Sequence, residues 1–225
     1  MTLPYLEQQT IYNAAGIPTK PLFATGNAAD PIAILLCPSD PGALPNPRLD
    51  AGNLDGVPVG RSSYKGVSGD NWGDDFDAFQ IRSGSFPTDW RYQGVNGSYD
   101  GLNQGDGIFY RTNLLRPLTL IQITDGTSGT LMIGEDVQAA NHWLSWPYAN
   151  NVHGTCAIPL NVKSPSGGTY PPDLWENTSG FRSQHTGGAN FAVADGSVQF
   201  VSHTINLSVY RALATVQGGE AASLP

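Results

Sequence analysis

Residues able to move a proton or hold a cation cluster in a few places along this 225-residue chain. His185 precedes Asp195 by nine intervening residues, and such a pair could serve as acid and base or as part of a metal site. Glu135 closes the apolar run Leu131-Met132-Ile133, so its carboxylate is expected to be at least half buried and to need partners. Burial raises a carboxylate pKa, which is what a general acid requires. Asp125 opens the turn Asp125-Gly126-Thr127-Ser128. If two of Glu135, Asp125, Asp195 and Asp136 met, with His185 or Arg182 tuning them, the chemistry would be glycoside hydrolysis. Retention needs the carboxyls about 5–5.5 Å apart and inversion about 6.5–9.5 Å. Asp70, Asn71, Asp74, Asp75 and Asp77 crowd hard oxygen donors together, and calcium is the cation that such ligands suit.

Each of these has a plainer, structural reading. Asp195-Gly196 sits between the apolar runs Asn190–Val193 and Val198–Val201, the pattern of a hairpin with a type I′ turn, in which Asp is tolerated at positive φ. His185 would then tie the loop 183–189 to the sheet. Glu135 could be satisfied by Arg182 or by loop amides. The acidic stretch from Asp70 does not follow the twelve-residue calcium loop, so a solvated loop is the preferred reading. Five Trp and nine Tyr, many in Gly- and Asn-rich segments, could stack on sugars, but long loops also need small aromatic cores of their own. An exposed pair such as Trp143 and Trp146 would favour sugar. No GxSxG elbow, HExxH helix or GxxxxGK[ST] loop occurs.

The elements that must position these residues are short. A helix end spans residues 5–15 and stops at Gly16 and Pro18. Ile32–Cys37, bounded by prolines, reads as a buried strand. Tyr64–Val67, Ile108–Tyr110 and Thr130–Glu135 read as further strands, and Thr119–Ile123 as a strand or helical turn. Residues 69–107 and 141–180 are loop-rich insertions. Asn206 caps a closing helix from Leu207 to Thr215. The fold class is α+β: a single domain, residues 1–225, with an antiparallel sheet, long Gly/Pro/Asn-rich insertions, an N-terminal helix remnant and a short C-terminal helix.

Composition narrows function further. Charged residues are only 13%, Gly numbers 27 and Pro 17, so turns and ordered loops dominate. A net charge of −8 argues against nucleic acid as a partner and against docking on anionic lipid.

Several segments resemble one family. Phe181-Arg182-Ser183-Gln184-His185-Thr186-Gly187-Gly188-Ala189-Asn190 followed by Asp195-Gly196-Ser197-Val198 is similar to the His-(nine residues)-Asp-Gly signature of bacterial prepilin-like proteins described as a domain of unknown function. Leu3-Pro4-Tyr5-Leu6-Glu7-Gln8, Cys37-Pro38-Ser39-Asp40-Pro41, Tyr64-Lys65-Gly66-Val67-Ser68-Gly69 and Asp125-Gly126-Thr127-Ser128 with Gly134-Glu135 match its other motifs in order. The resemblance implies an exported, non-catalytic head of a pilin or pseudopilin, located in the periplasm or at the cell surface. Its partners would be other pilin-like subunits or surface components, with glycans as the alternative. Calcium, used in pseudopilin loops, is the cofactor this likeness would add, and His185, Asp195 and Gly196 would be its structural motif. The leader and long apolar helix of that family have no counterpart before Leu3, and no membrane span or signal peptide is read in the chain. For an exported chain, Cys37 and Cys156 suggest one disulfide, closing a loop of more than a hundred residues and adding roughly 3–5 kcal/mol, with two unpaired buried cysteines as the alternative; no CxxC pair or Cys/His cluster in the sequence points to a zinc or redox site.

Overall fold

Alternation of side chains along short β-prone runs builds the centre of the molecule. In the computed structural model, residues 3–17, 19–20, 22–70, 105–111, 117–150, 152–164, 166–174, 178–220 and 222 are described. Asn71, Asp74, Asp75 and Asp77 of the expected cation loop lie outside them, as do Trp72, Trp90 and Trp175.

Five strands form one sheet: β1 (Tyr64–Val67), β2 (Leu131–Glu135), β3 (His153–Gly154), β4 (Gly188–Val193) and β5 (Val198–Ser202), in the order β3-β1-β2-β4-β5. Two α-helices are described, α1 (Gln9–Ala14) and α2 (Leu207–Ala212), so the class is α+β. The sheet is mixed rather than purely antiparallel. β3 runs parallel to β1, with Gly66 and Ser68 amides donating to the Val152 and Gly154 carbonyls. A long excursion separates the two strands in sequence, which leaves room for the crossover that a parallel pair needs.

Register sorts the side chains onto two faces. Val67, Leu131, Ala189, Phe191, Val193 and Val201 belong to the core, where Phe181, Cys156 and Leu160 join them. Helix α2 covers this face with Tyr210, and Leu213 and Ala214 follow it into the core. Asn206 starts that helix as expected, accepting from the Ser208 and Val209 amides. The Phe191 ring stands edge-on to Phe181 at 5.1 Å and to Tyr210 at 6.1 Å. The pairs Tyr64–Glu135, Gly66–Ile133, Asn190–Phe200 and Ala192–Val198 lie on the outer face.

Several expectations are corrected. Ile32–Cys37 is no strand: Ala33–Leu35 is a 3-10 turn, in which the Leu35 amide donates to the Ile32 carbonyl. Ile32 is buried while Ile34 is 62% exposed, so the apolar run does not stay on a buried element. Ile108–Tyr110 is not a strand either, although the Phe109 amide reaches the Val67 carbonyl. Of the two forms open to Thr119–Ile123, the helical one is adopted: Leu120–Gln122 is a 3-10 turn with a capping box from Thr119 to Gln122. Helix α2 ends earlier than Thr215.

The Asp195 turn is also of a different type. The Gly196 amide donates to the Val193 carbonyl, and the Val193 amide to the Ser197 carbonyl. Positive φ occurs at Gly196 (88°) and not at Asp195. This is the three-residue hairpin loop, with glycine at the left-handed bulge position, rather than type I′. Finally, Cys37 and Cys156 are both buried free thiols, not a disulfide. Cys156 belongs to the core under α2, whereas Cys37 meets Glu135 from the outer face.

Candidate functional site

Glu135 and Asp136 are adjacent at the end of β2 and 4% and 2% exposed. Successive strand residues point to opposite faces, so each carboxylate needs its own set of partners in its own half of the molecule.

On the core side, Asp136 meets Lys65 from β1, whose Nζ lies 2.8 Å from Asp136 Oδ2. Lys65 Nζ also donates to the carbonyls of Thr178 and Gly180 and stands 5.3 Å from the centre of the Phe181 ring. Asn141 Nδ2 and the Val137 amide donate to Asp136 at 2.8 and 2.9 Å, and the Arg182 guanidinium lies 3.5 Å away. Complete burial pulls the Lys65 ammonium down to about 8, with the Asp136 charge opposing that shift. All three ammonium hydrogens have acceptors, so this group ties β1, β2 and the 178–182 segment together.

On the outer side, Glu135 receives the 178–190 segment. The Arg182 amide donates to the Glu135 carbonyl, and the chain then turns back, the His185 amide donating to Ser183 Oγ. This places His185 Nε2 3.2 Å from Glu135 Oε1. The Asn190 amide donates to Oε2 at 2.8 Å and its Nδ2 to Oε1 at 3.2 Å. Cys37 arrives from the other direction. The Ser63 amide bonds the Leu35 carbonyl, and Asp40 anchors the loop by accepting from the amides of Gly42 and Gln138. Cys37 Sγ then lies 3.9 Å from both Glu135 Oε1 and His185 Nε2. Tyr64, paired with Glu135 across β1 and β2, is pushed up to about 12, first by burial and then by the neighbouring Cys37 and Glu135.

Sequence reasoning had placed Glu135 and His185 among the candidates, and the fold brings them together. The sequence offers Cys37 as half of a disulfide or as an unpaired buried thiol, and the fold shows the unpaired thiol; the sequence does not single out Lys65 or Asn190. The signals were present: a lone lysine inside a β-prone run, and two successive carboxylates on one strand. Arg182 contributes its guanidinium to Asp136 and only its backbone amide to Glu135.

The other candidates sit elsewhere. Asp125 accepts from Thr215 Oγ1 and from the Gly218 and Gly219 amides, fastening the C-terminal segment. Asp195 is fully exposed at the hairpin turn, where the Ser197 amide holds its carboxyl below the usual range. Leu131 pairs with Val193, so Asp195 lies beyond the far end of β2 from Glu135. Those ends are four residue steps apart along the strand, about 13 Å. No hydrolytic carboxylate pair is assembled from Glu135 with Asp195 at either required spacing. Asp70 is buried and lies beside Asp106, whose Oδ1 accepts the Asp70 amide at 3.1 Å. Burial, then the Asp106 carboxyl, raises Asp70 to about 8. Trp143 is buried and Trp146 gives its indole N–H to the Asp30 carbonyl, so these two do not form an exposed sugar platform.

The Cys37, Glu135 and His185 centre has the residue types of a hydrolytic triad but not its wiring. A relay histidine uses one ring nitrogen for the nucleophile and the other for the carboxylate. Here both contacts converge on Nε2.

Residues 1–208 match the family described as "Protein of unknown function (DUF1559)", and the chain belongs to it. No curated protein and no solved structure matches the chain.

Proposed function

We propose that this chain is the non-catalytic, exported globular head of a pilin- or pseudopilin-like protein, and that it works at the cell surface by contact with further copies of itself. The observation that carries the reading is on β5. Val198 and Phe200 are 66% and 53% exposed on the outer face, and β5 is the last strand of the sheet. An edge strand offers unpaired backbone groups to another chain, and soluble proteins commonly blunt such edges with lysine, proline or a bulge. The β5 residues Val-Gln-Phe-Val-Ser carry neither lysine nor proline, and β4 pairs with them in unbroken register.

The polar side chains support the same reading from the other direction. Asp136 and Asp125 are committed to internal hydrogen bonds, which suits residues that hold an architecture. Among the described residues no helix is long and apolar enough to cross a membrane.

Sedimentation velocity of the whole chain over a wide concentration range tests the reading. Mass should rise with concentration, and Val198→Asp with Phe200→Asp should return the protein to monomer without lowering its melting temperature. A monomer at every concentration, or association indifferent to both substitutions, would overturn it.

A further inference from the structure

Three segments distant in sequence each deliver one lone-pair atom to a common point. Cys37 Sγ, Glu135 Oε1 and His185 Nε2 are separated by 3.9, 3.9 and 3.2 Å. Their ligand atoms form one metal-competent group among the described residues. We propose that Cys37, Glu135 and His185 bind a zinc ion, an activity independent of the association through β5.

The geometry carries this further than residue type does. Zinc takes nitrogen at about 2.0–2.1 Å, oxygen at 2.0–2.2 Å and sulfur at 2.3 Å, and at tetrahedral angles such ligands stand roughly 3.3–3.6 Å apart. The nitrogen–oxygen edge of 3.2 Å already fits, and the two sulfur edges of 3.9 Å exceed that spacing by about 0.3–0.4 Å. A single point lies about 2.1 Å from the nitrogen and oxygen and 2.3 Å from the sulfur, close to their plane. A small approach of the thiolate lifts the ion out of that plane and opens a fourth, tetrahedral position for water.

The same contacts also lie within hydrogen-bond distance, at 3.2 Å for the nitrogen–oxygen edge and 3.9 Å for the two sulfur edges, so a metal would replace bonds that the apo centre makes. Three groups whose donor atoms all lie within 3.9 Å of one another are arranged as ligands are. One thiolate, one imidazole and one carboxylate form a borderline-soft set that suits zinc over calcium or magnesium.

The surroundings are those of a ligand set. The Asn190 amide and Nδ2 hold the Glu135 carboxylate in place, and Tyr64 sits beside the Cys37 thiol, where its hydroxyl can donate to a thiolate. Such outer partners fix ligand orientation and raise affinity. His185 is 32% exposed in its side chain while Cys37 and Glu135 are buried, so an ion has a route in along the imidazole.

The test uses the full chain after chelator treatment, titrated with cobalt(II) as the probe and then challenged with zinc. Expected are four-coordinate visible absorption and a sulfur-to-cobalt charge-transfer band, both saturating at one equivalent and displaced by zinc. Cys37→Ser should abolish the charge-transfer band. His185→Ala, at a partly exposed side chain, should weaken binding by at least about tenfold. Asp195→Asn, on the exposed hairpin turn, should bind as the parent does. If Cys37→Ser fails to fold, the parent spectrum still decides whether a thiolate is a ligand. Weak, unsaturable binding common to all variants, meaning an adventitious ion only, would overturn the proposal, as would a six-coordinate spectrum without sulfur character.

Discussion

Replacing Lys65 with methionine isolates the buried ion pair from the packing around it. Methionine keeps most of the aliphatic length, so the change removes a charge and three donors rather than opening a large cavity. What remains is Asp136, 2% exposed, with Asn141, the Val137 amide and the more distant Arg182. Breaking a buried pair from one side typically costs about 3–5 kcal/mol, a large share of the roughly 5–15 kcal/mol that holds a domain together. The pH dependence gives a second, independent readout. Lys65 falls from 10.5 in the unfolded chain to about 8 in the folded one. Between those values the unfolded state binds more protons, so stability rises with pH there. At about 1.4 kcal/mol per unit, the rise attributable to Lys65 is about 3 kcal/mol. It is absent below pH 8 and complete by pH 10.5. Urea unfolding of the parent and Lys65→Met, measured from pH 7 to 10.5, should show a less stable variant at pH 7 that lacks this upward slope. Adding Asp136→Asn should recover more than half of the loss. A Lys65→Met protein as stable as the parent, with the same slope, would refute the buried-pair reasoning.

Two further outcomes follow from the same packing. Asp70 is raised to about 8, so it stays protonated in the folded state at a pH where the unfolded chain has released the proton. Stability therefore falls as pH rises from about 4 to 8, and Asp70→Asn should flatten that fall in urea titrations. Gly134→Ala would put a Cβ 2.3 Å from Phe191 Cε1 and 2.6 Å from Phe181 Cδ1. Overpacking of this kind costs about 1–3 kcal/mol or more, readable as a lower urea midpoint with an unchanged slope.

The parts of the fold written locally were legible in the sequence. Tyr64–Val67, the strand ending at Glu135, the hairpin around Asp195-Gly196 and the Asn206 cap all declare themselves through alternation or a single turn residue. What escaped depends on tertiary partners. Ile32–Cys37 has strand composition, yet its centre, Ala33–Leu35, folds as a 3-10 turn, with the Leu35 carbonyl taken by the Ser63 amide. Asp195-Gly196 pointed to a hairpin correctly, but Gly196 alone takes positive φ, and nothing in the dipeptide distinguishes the two turn types. Cys37 and Cys156 looked like a pair by count, and only the fold shows that one belongs to the core and the other to the outer-face centre. Glu135 was readable as a buried carboxylate in search of partners. Its partners were not, because Cys37 lies 98 residues before it and His185 50 residues after it.

Disulfide trapping of copies through the outer face tests the central claim most directly. Cys37 and Cys156 are buried, so a cysteine introduced at Phe200 would be the accessible thiol among the described residues. Under mild oxidation Phe200→Cys should yield a covalent dimer at concentrations where Ile121→Cys, at a side chain 89% exposed, stays monomeric. Equal trapping at both positions, or none at Phe200→Cys, would contradict assembly through β5.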